Sequence, residues 1–196
     1  IARALTPVFC GSAYKNRGVQ AMLDGVTAYL PSPPEVTNYG IDNDNDQQQV
    51  ELSCSSSASM VALAFKLEEG PYGQLTYLRV YQGLLKRGDF IRNVNKGTKT
   101  KVARLVRMHS NEMQDIQSST AGDIVALFGI ECNSGDSFTA LNASSISLTS
   151  MHVPDSVLSL AIMPQKRDGL AAFSKALQRF LREDPTFRVQ DRKSVV

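Results

Sequence analysis

Between residues 60 and 138, short runs of β-branched, aliphatic and aromatic residues keep being interrupted by glycine. The runs are residues 61–67 (VALAFKL), 75–81 (LTYLRVY), 90–91 (FI), 102–108 (VARLVRM) and 124–128 (IVALF). Breaks at Gly70, Gly73, Gly83, Gly88, Gly97, Gly122, Gly129 and Gly135 separate most of them. Many short strands joined by glycine turns point to a sandwich or a barrel. Closure is the expected solution, because short strands otherwise leave edge amides open to unwanted pairing. Within 75–81, Leu75, Tyr77, Arg79 and Tyr81 alternate with Thr76, Leu78 and Val80, so neither face is wholly polar. The outer face of that strand is therefore expected to pack on a neighbouring domain, and Tyr77 and Tyr81 to serve packing rather than base stacking.

The flanks read as attachments to this module. Residues 6–10 form a short apolar run expected as a strand, followed by the turn Gly11-Ser12-Ala13, with Asn16 as a candidate helix cap. Val19, Met22, Leu23, Val26 and Leu30 make one apolar stripe and predict a helix over 18–29, stopped by Pro31, Pro33 and Pro34. Residues 31–59 are linker-like, and the tract 42–49 (DNDNDQQQ) has little to bury and is expected to be a mobile loop. It lacks the glycine and terminal glutamate of a calcium loop. Beyond a Ser/Asn-rich loop, residues 146–151 alternate as a strand, and 157–163 read as the first strand of another unit. A helix follows with Leu170, Phe173, Leu177 and Leu181 along one side, ended by Asp184-Pro185, and Phe187 with Val189 would begin a further strand. One β-α-β element cannot bury both faces, so this unit looks cut short and its end is expected to fray.

Composition limits the partners only weakly. The 196 residues are 42% hydrophobic, enough for one compact domain or two small ones, and the formal charge of +2 implies no nucleic-acid binding by itself. Such a role must rest on local clusters. Lys86, Arg87, Lys99, Lys101, Arg104 and Arg107 provide one, with Lys99 and Lys101 on one strand face. Arg104 and Arg107 can share a face only across a bend or bulge. Cys10, Cys54 and Cys132 are odd in number and far apart, which suits reduced thiols in an intracellular compartment. His109 and His152 lack Cys or His partners at metal-ligand spacing, and no catalytic triad is supported. No apolar run approaches the roughly 20 residues that cross a bilayer. The start at Ile1 shows no secretory signal and reads as a piece of something longer.

Several motifs, in order, then agree. Residues 73–83 (GQLTYLRVYQG), 85–89 (LKRGD), 108–109 (MH), 121–126 (AGDIVA) and 134–137 (SGDS) resemble the second domain of translational GTPases. Residues 154–161 (PDSVLSLA) and 182–189 (REDPTFRV) are similar to the third domain of elongation factor G, and 7–13 (PVFCGSA) with 16–20 (NRGVQ) to the end of its GTP-binding domain. The run 127–136 (LFGIECNSGD) looks more like the mitochondrial form than the bacterial one. The resemblance implies a multidomain piece with a central translation-factor β-barrel over 60–151. This would be flanked by the last strand and helix of an α/β GTPase domain over 1–33, a linker over 34–59, and a partial ferredoxin-like α/β domain over 152–196.

For function, the resemblance implies a GTPase of protein biosynthesis that drives ribosomal translocation of tRNA and mRNA in the mitochondrial matrix. GTP and Mg2+ would be cofactors of the intact protein. Gly11, Ser12 and Ala13 fall on the guanine-recognition loop, and the six cations above become candidate contacts to ribosomal RNA. Ribosomal RNA and small-subunit proteins are the implied partners, with the tRNA–mRNA complex engaged indirectly, by a monomer. The chain has no Gly-rich phosphate loop with Lys and Ser/Thr, so no catalytic residue, metal ligand or cofactor of its own is expected, nor GTP turnover by this piece. Three alternatives stand beside this: a mitochondrial ribosome-recycling GTPase, an RNA-binding product lacking GTPase activity, and a noncatalytic interaction module. The run 191–196 (DRKSVV) departs from the family's continuation.

Overall fold

A computed structural model describes residues 5–70, 73–110, 112–148, 158–164, 169–184 and 186–190. The chain forms two units, residues 1–36 and 37–196. In the first, the apolar spacing yields helix α1 (Val19–Tyr29), one residue shorter than expected. Its cap is not Asn16. Gly18 holds the N-cap position at φ 75, while Asn16, at φ 49, closes the 3-10 turn Ala13–Lys15. Residues 5–11, expected to include a strand, are irregular. Among the described residues no ladder satisfies their amides, and the isolated bridge Ser12–Arg17 follows them in the chain. Phe9 covers Gly25, the buried residue of α1, and stacks on Tyr29 at 6.5 Å between centroids. Met22, Leu23, Val26 and Leu30 stay exposed.

The second unit starts where a mobile loop was expected. Strands β1 (Asn38–Asp42) and β2 (Gln48–Leu52) form a hairpin, and β13 (Ile146–Ser147) pairs with β1 to make a three-stranded sheet. The polar tract is its turn. Asp42 accepts from the Asp44 amide at 3.0 Å and the Asn45 side-chain amide at 2.9 Å, and the Gln48 amide returns to the Asn45 carbonyl at 2.9 Å. Asp and Asn carboxyl and amide groups can organise a reversal without burying apolar surface. Leu52, Val61, Leu63 and Leu148 then cluster with Tyr81 and Ile146.

The main sheet has eight antiparallel strands. They are β3 (Val61–Gly70), β4 (Gly73–Gln82), β6 (Phe90–Asn93), β7 (Lys99–Lys101), β8 (Leu105–His109), β9 (Glu112–Asp115), β11 (Ile124–Phe128) and β12 (Ser137–Ala140). Their order is β7-β6-β12-β3-β4-β11-β8-β9. Closure by strand pairing, the expected solution, does not occur among the described residues, since β7 and β9 end the order. The run expected over 102–108 is interrupted: 102–104 are irregular and only 105–109 form β8. A separate ribbon, β5 (Leu84–Lys86) with β10 (Ser118–Thr120), is tied to both ends of the sheet. Gly88 donates to the Val102 carbonyl at 2.8 Å, Val102 to Asp89 at 2.8 Å, and Arg87 to Gln117 at 2.9 Å. The result is a half-barrel. Leu78, Val80, Leu85, Ile91, Leu105, Val125, Leu127 and Phe138 fill its interior.

Gly83 joins β4 to β5 at φ 82, and a Cβ there would lie 2.5 Å from the Met60 Cα. Only glycine fits that crossing. Further along, the expected strand over 146–151 is seen as β13 and buried Leu148, with 149–151 outside the described residues. Of the strand expected over 157–163, residue 157 lies outside the described residues and 158–164 are irregular, with Leu158, Leu160, Ile162 and Met163 exposed. Helix α2 (Leu170–Glu183) forms as expected, with Phe173 and Leu177 half-buried but Leu170 and Leu181 exposed. Residues 187–190, expected to start a strand, are irregular, although Phe187 meets Phe180 edge-on at 5.9 Å. The final run 191–196 lies outside the described residues. No helix among the described residues is long and apolar enough to cross a membrane.

Two measurements check this core. Phe138→Ala is expected to lose about 3–5 kcal/mol in urea unfolding, because a fully buried ring is removed. Burial pushes the Cys132 thiol from 9.0 up to about 11, so the unfolded chain releases that proton first as pH rises. Stability should therefore fall between pH 9 and 11 more steeply in the parent than in Cys132→Ala, whereas identical slopes would place the thiol in a wetter environment.

Candidate nucleic-acid interface and nucleotide loop

The turn at 11–18 is built from backbone. Ser12 donates to the Arg17 carbonyl at 2.9 Å, Arg17 donates back to Ser12 at 3.1 Å, and the Lys15 amide also reaches the Ser12 carbonyl at 3.1 Å. A Cβ on Gly11 would sit 2.8 Å from the Arg17 oxygen, and one on Gly18 would sit 2.8 Å from the Cys10 oxygen. Both glycines are therefore needed for the chain to pass itself so closely. Gly11 and Ala13 are exposed, and Ser12 is half-exposed. Among the described residues the Ser12 hydroxyl makes no hydrogen bond. The structure thus places Gly11, Ser12 and Ala13 together on one tight, accessible reversal.

The six candidate cations lie in the second unit and differ in their surroundings. β7 is an edge strand, with Lys101 opposite Phe90, Thr100 opposite Ile91, and Lys99 opposite Arg92. Ile91 points into the core, so strand alternation turns Phe90, Arg92, Lys99 and Lys101 outward together. The expected sharing of a face by Lys99 and Lys101 holds. Lys99 Nζ is 4.3 Å and Lys101 Nζ 5.8 Å from the Phe90 ring centroid, within cation–π range. Phe90 is 46% exposed. Arg92 is half-buried and donates through Nη2 to the Ala143 carbonyl at 3.0 Å.

Lys86 ends β5 and Arg87 begins the turn to β6. Asp89 shapes it by accepting the Lys86 amide at 2.9 Å, and the Gly88–Val102 bond sets it beside the end of β7. Arg87 Nε donates to the Ala103 carbonyl at 3.3 Å. Both side chains are exposed. Among the described residues no carboxylate forms an ion pair with Lys86, Arg87, Lys99 or Lys101.

Arg104 and Arg107 are different. Arg104 grips Asp115 with a fork, Nε to Oδ1 at 2.8 Å and Nη2 to Oδ2 at 3.1 Å, while its guanidinium lies 5.0 Å from the Phe128 centroid. The Arg104 hydrogen bonds hold the Asp115 carboxyl below the usual carboxylate range, and the same bonds raise the Arg104 pKa. Arg107 pairs with Asp123 at 3.6 Å. Arg104 lies in the irregular stretch just before β8 and Arg107 within the strand, and the two turn to different carboxylates. Both positive charges are compensated in place.

Phe90 and Arg92 were missed as site residues. The signal was present: Phe90 and Arg92 alternate with core Ile91, which puts an aromatic ring on an otherwise polar outer face. His109 is exposed opposite Glu112, and His152 lies outside the described residues. Tyr77 and Tyr81 are half-buried on the outer face, each packed against a small apolar cluster, in line with a packing role.

Comparison with known proteins follows the same division. The family model for elongation factor Tu domain 2 matches residues 73–139, and that for elongation factor G domain III matches residues 153–194. The chain is 60% identical over 189 residues to a protein of Arabidopsis thaliana named "Elongation factor G-1, mitochondrial", covering 96% of this chain and 25% of that protein. It is 55% identical over 188 residues to "Elongation factor G 1" of Treponema pallidum, covering 96% of this chain and 27% of that protein. A crystal structure of a Thermus thermophilus protein superposes with a TM-score of 0.67 at 21% identity, over 93% of this chain and 25% of that one, and supports the fold. The chain spans about a quarter of the length of these relatives. Motif order, two domain matches and identity along nearly all of its length show that the chain belongs to the elongation factor G family of translational GTPases.

Proposed function

We propose that this chain is part of a mitochondrial elongation factor that uses GTP to drive ribosomal translocation of tRNA and mRNA. The observation that carries the reading is the 60% identity to the Arabidopsis mitochondrial protein, extended over both units. Residues 1–33 are read as the end of a GTP-binding domain, 60–151 as domain II, and 152–196 as part of a ferredoxin-like domain III. Strands β1 and β2 join domain II rather than forming a free linker, since β1 pairs with β13.

In this reading Gly11, Ser12 and Ala13 meet the guanine. The glycine-closed reversal and the hydroxyl of Ser12, which has no hydrogen-bond partner among the described residues, suit that task. Mg2+ and the nucleotide phosphates belong to residues outside this chain, which carries no phosphate-loop motif. The factor works as a monomer in the matrix, and its RNA contacts lie on domain II. Lys86, Arg87, Lys99 and Lys101 supply positive charge to phosphates of small-subunit RNA, whereas Arg104 and Arg107 chiefly hold β8 to Asp115 and Asp123.

Two outcomes are expected. Binding of the chain to small ribosomal subunits should weaken steeply with salt, and K99E/K101E should weaken it and reduce the log–log salt slope by roughly 1.4–1.8, the share of two phosphate contacts. R104E/R107E should change the slope less, and the reverse ranking would remove lysine docking at β7. The purified chain should also show negligible GTP hydrolysis, and turnover that co-purifies with it through successive columns would contradict the division of labour proposed.

A further inference from the structure

Phe90 presents a problem that the cationic edge alone does not solve. Lysines on a short edge strand keep other strands from pairing with it, but that needs no exposed aromatic ring between them. Here the ring is 46% exposed, carries Lys99 and Lys101 at 4.3 and 5.8 Å, and borders a recess of about 310 Å³. Met60, Leu84, Gly88 and Leu141 also line the recess. The Asp89 carboxylate on the same rim accepts the Lys86 amide, and among the described residues it forms no ion pair with either lysine.

An aromatic platform between two mobile cations matches the repeating chemistry of a single nucleic-acid strand. A base offers a flat π-face of any sequence, and the phosphates on either side offer negative charge. A paired helix keeps its bases stacked internally and offers groove edges and backbone but no free base face. We infer that Phe90, Lys99 and Lys101 form a subsite for one unpaired nucleotide of RNA, with its base on the Phe90 ring and its flanking phosphates on the two lysine ammonium groups. The lysines then exchange their contact with the ring for contact with phosphate. Arg92, on the same face two residues along β6, is anchored to the Ala143 carbonyl. This rests on the RNA-docking reading above and adds to it a preference: the patch favours an unpaired residue, such as a bulge or loop, over a continuous duplex.

The test uses the whole 196-residue chain. One RNA probe is a short mixed-sequence strand with 2-aminopurine at its centre, and the other is the same strand annealed to its complement. The parent chain should bind the single strand more tightly than the duplex and change the fluorescence of the central base. Phe90→Ala should lose about tenfold or more in single-strand affinity, as expected for one stacked base, with duplex affinity and salt slope unchanged. Phe90→Trp should preserve or improve single-strand binding, and K99A/K101A should lower the salt slope by roughly 1.4 for that strand. Comparable melting temperatures for parent and variants exclude misfolding as the cause. Equal single-strand affinity for parent and Phe90→Ala, with salt dependence intact, would overturn the nucleotide subsite and leave RNA docking standing. No salt-dependent binding of either probe by the parent would overturn both.

Discussion

The antiparallel pair of β3 and β4 is the constraint on which the rest depends, because both of its faces are covered. Inside, Ala62, Ala64, Leu67, Leu78 and Val80 join the main core. Outside, Val61 and Leu63 pack with the β1–β2 hairpin, while Leu75 packs with Val106 and Ala126. Ten-residue strands with strict alternation would put Lys66 inside and Leu67 outside. A register shift between Ala64 and Lys66 prevents this, so that Lys66 emerges to meet Glu68 and Tyr77 and Leu67 turns inward. This bulge thus reconciles an outer charge network with an unbroken interior, and the pair carries β12 on one side and β11 on the other.

Much of this was legible in the residues. The runs at 61–67, 75–81 and 124–128 became strands because their alternation and glycine breaks agree with the pairing they adopt. Both helices followed from their apolar spacing. The failures share a cause: they occurred where tertiary partners, rather than local pattern, decide the outcome. Residues 42–49 looked like loop by composition, yet Asp42 and Asn45 form hydrogen bonds that only a turn between paired strands would reward. Residues 6–10 and 157–163 looked like strands, yet those of them that are described have no ladder, and β propensity alone cannot satisfy a backbone. Among the described residues β7 and β9 do not pair, and Val102, between β7 and β8, bonds instead to Gly88 and Asp89 of the β5–β6 turn.

The candidate site was only half legible. Spacing identified the basic residues and put Lys99 and Lys101 on one face, but it could not tell a free charge from a compensated one. Asp115 and Asp123 are distant enough in sequence from Arg104 and Arg107 that only the folded sheet reveals the pairing. Exposed ion pairs contribute little to stability, but they reduce the local potential that attracts a polyanion. The electropositive surface therefore narrows to the β5–β6 turn and the β7 edge. The turn at 11–18 shows the converse: Gly11, Ser12 and Ala13 are singled out by resemblance alone, and the structure supplies the steric reason for the glycines at either end of it.

The docking proposed above sets the β7 edge against ribosomal RNA. Lysine acetylation footprinting on the chain with and without small ribosomal subunits tests it directly, using Lys66, engaged by Glu68 and Tyr77, as the internal reference. Lys99 and Lys101 should become protected on binding while Lys66 is modified at an unchanged rate. Protection of Lys66 with Lys99 and Lys101 still fully reactive would contradict the account.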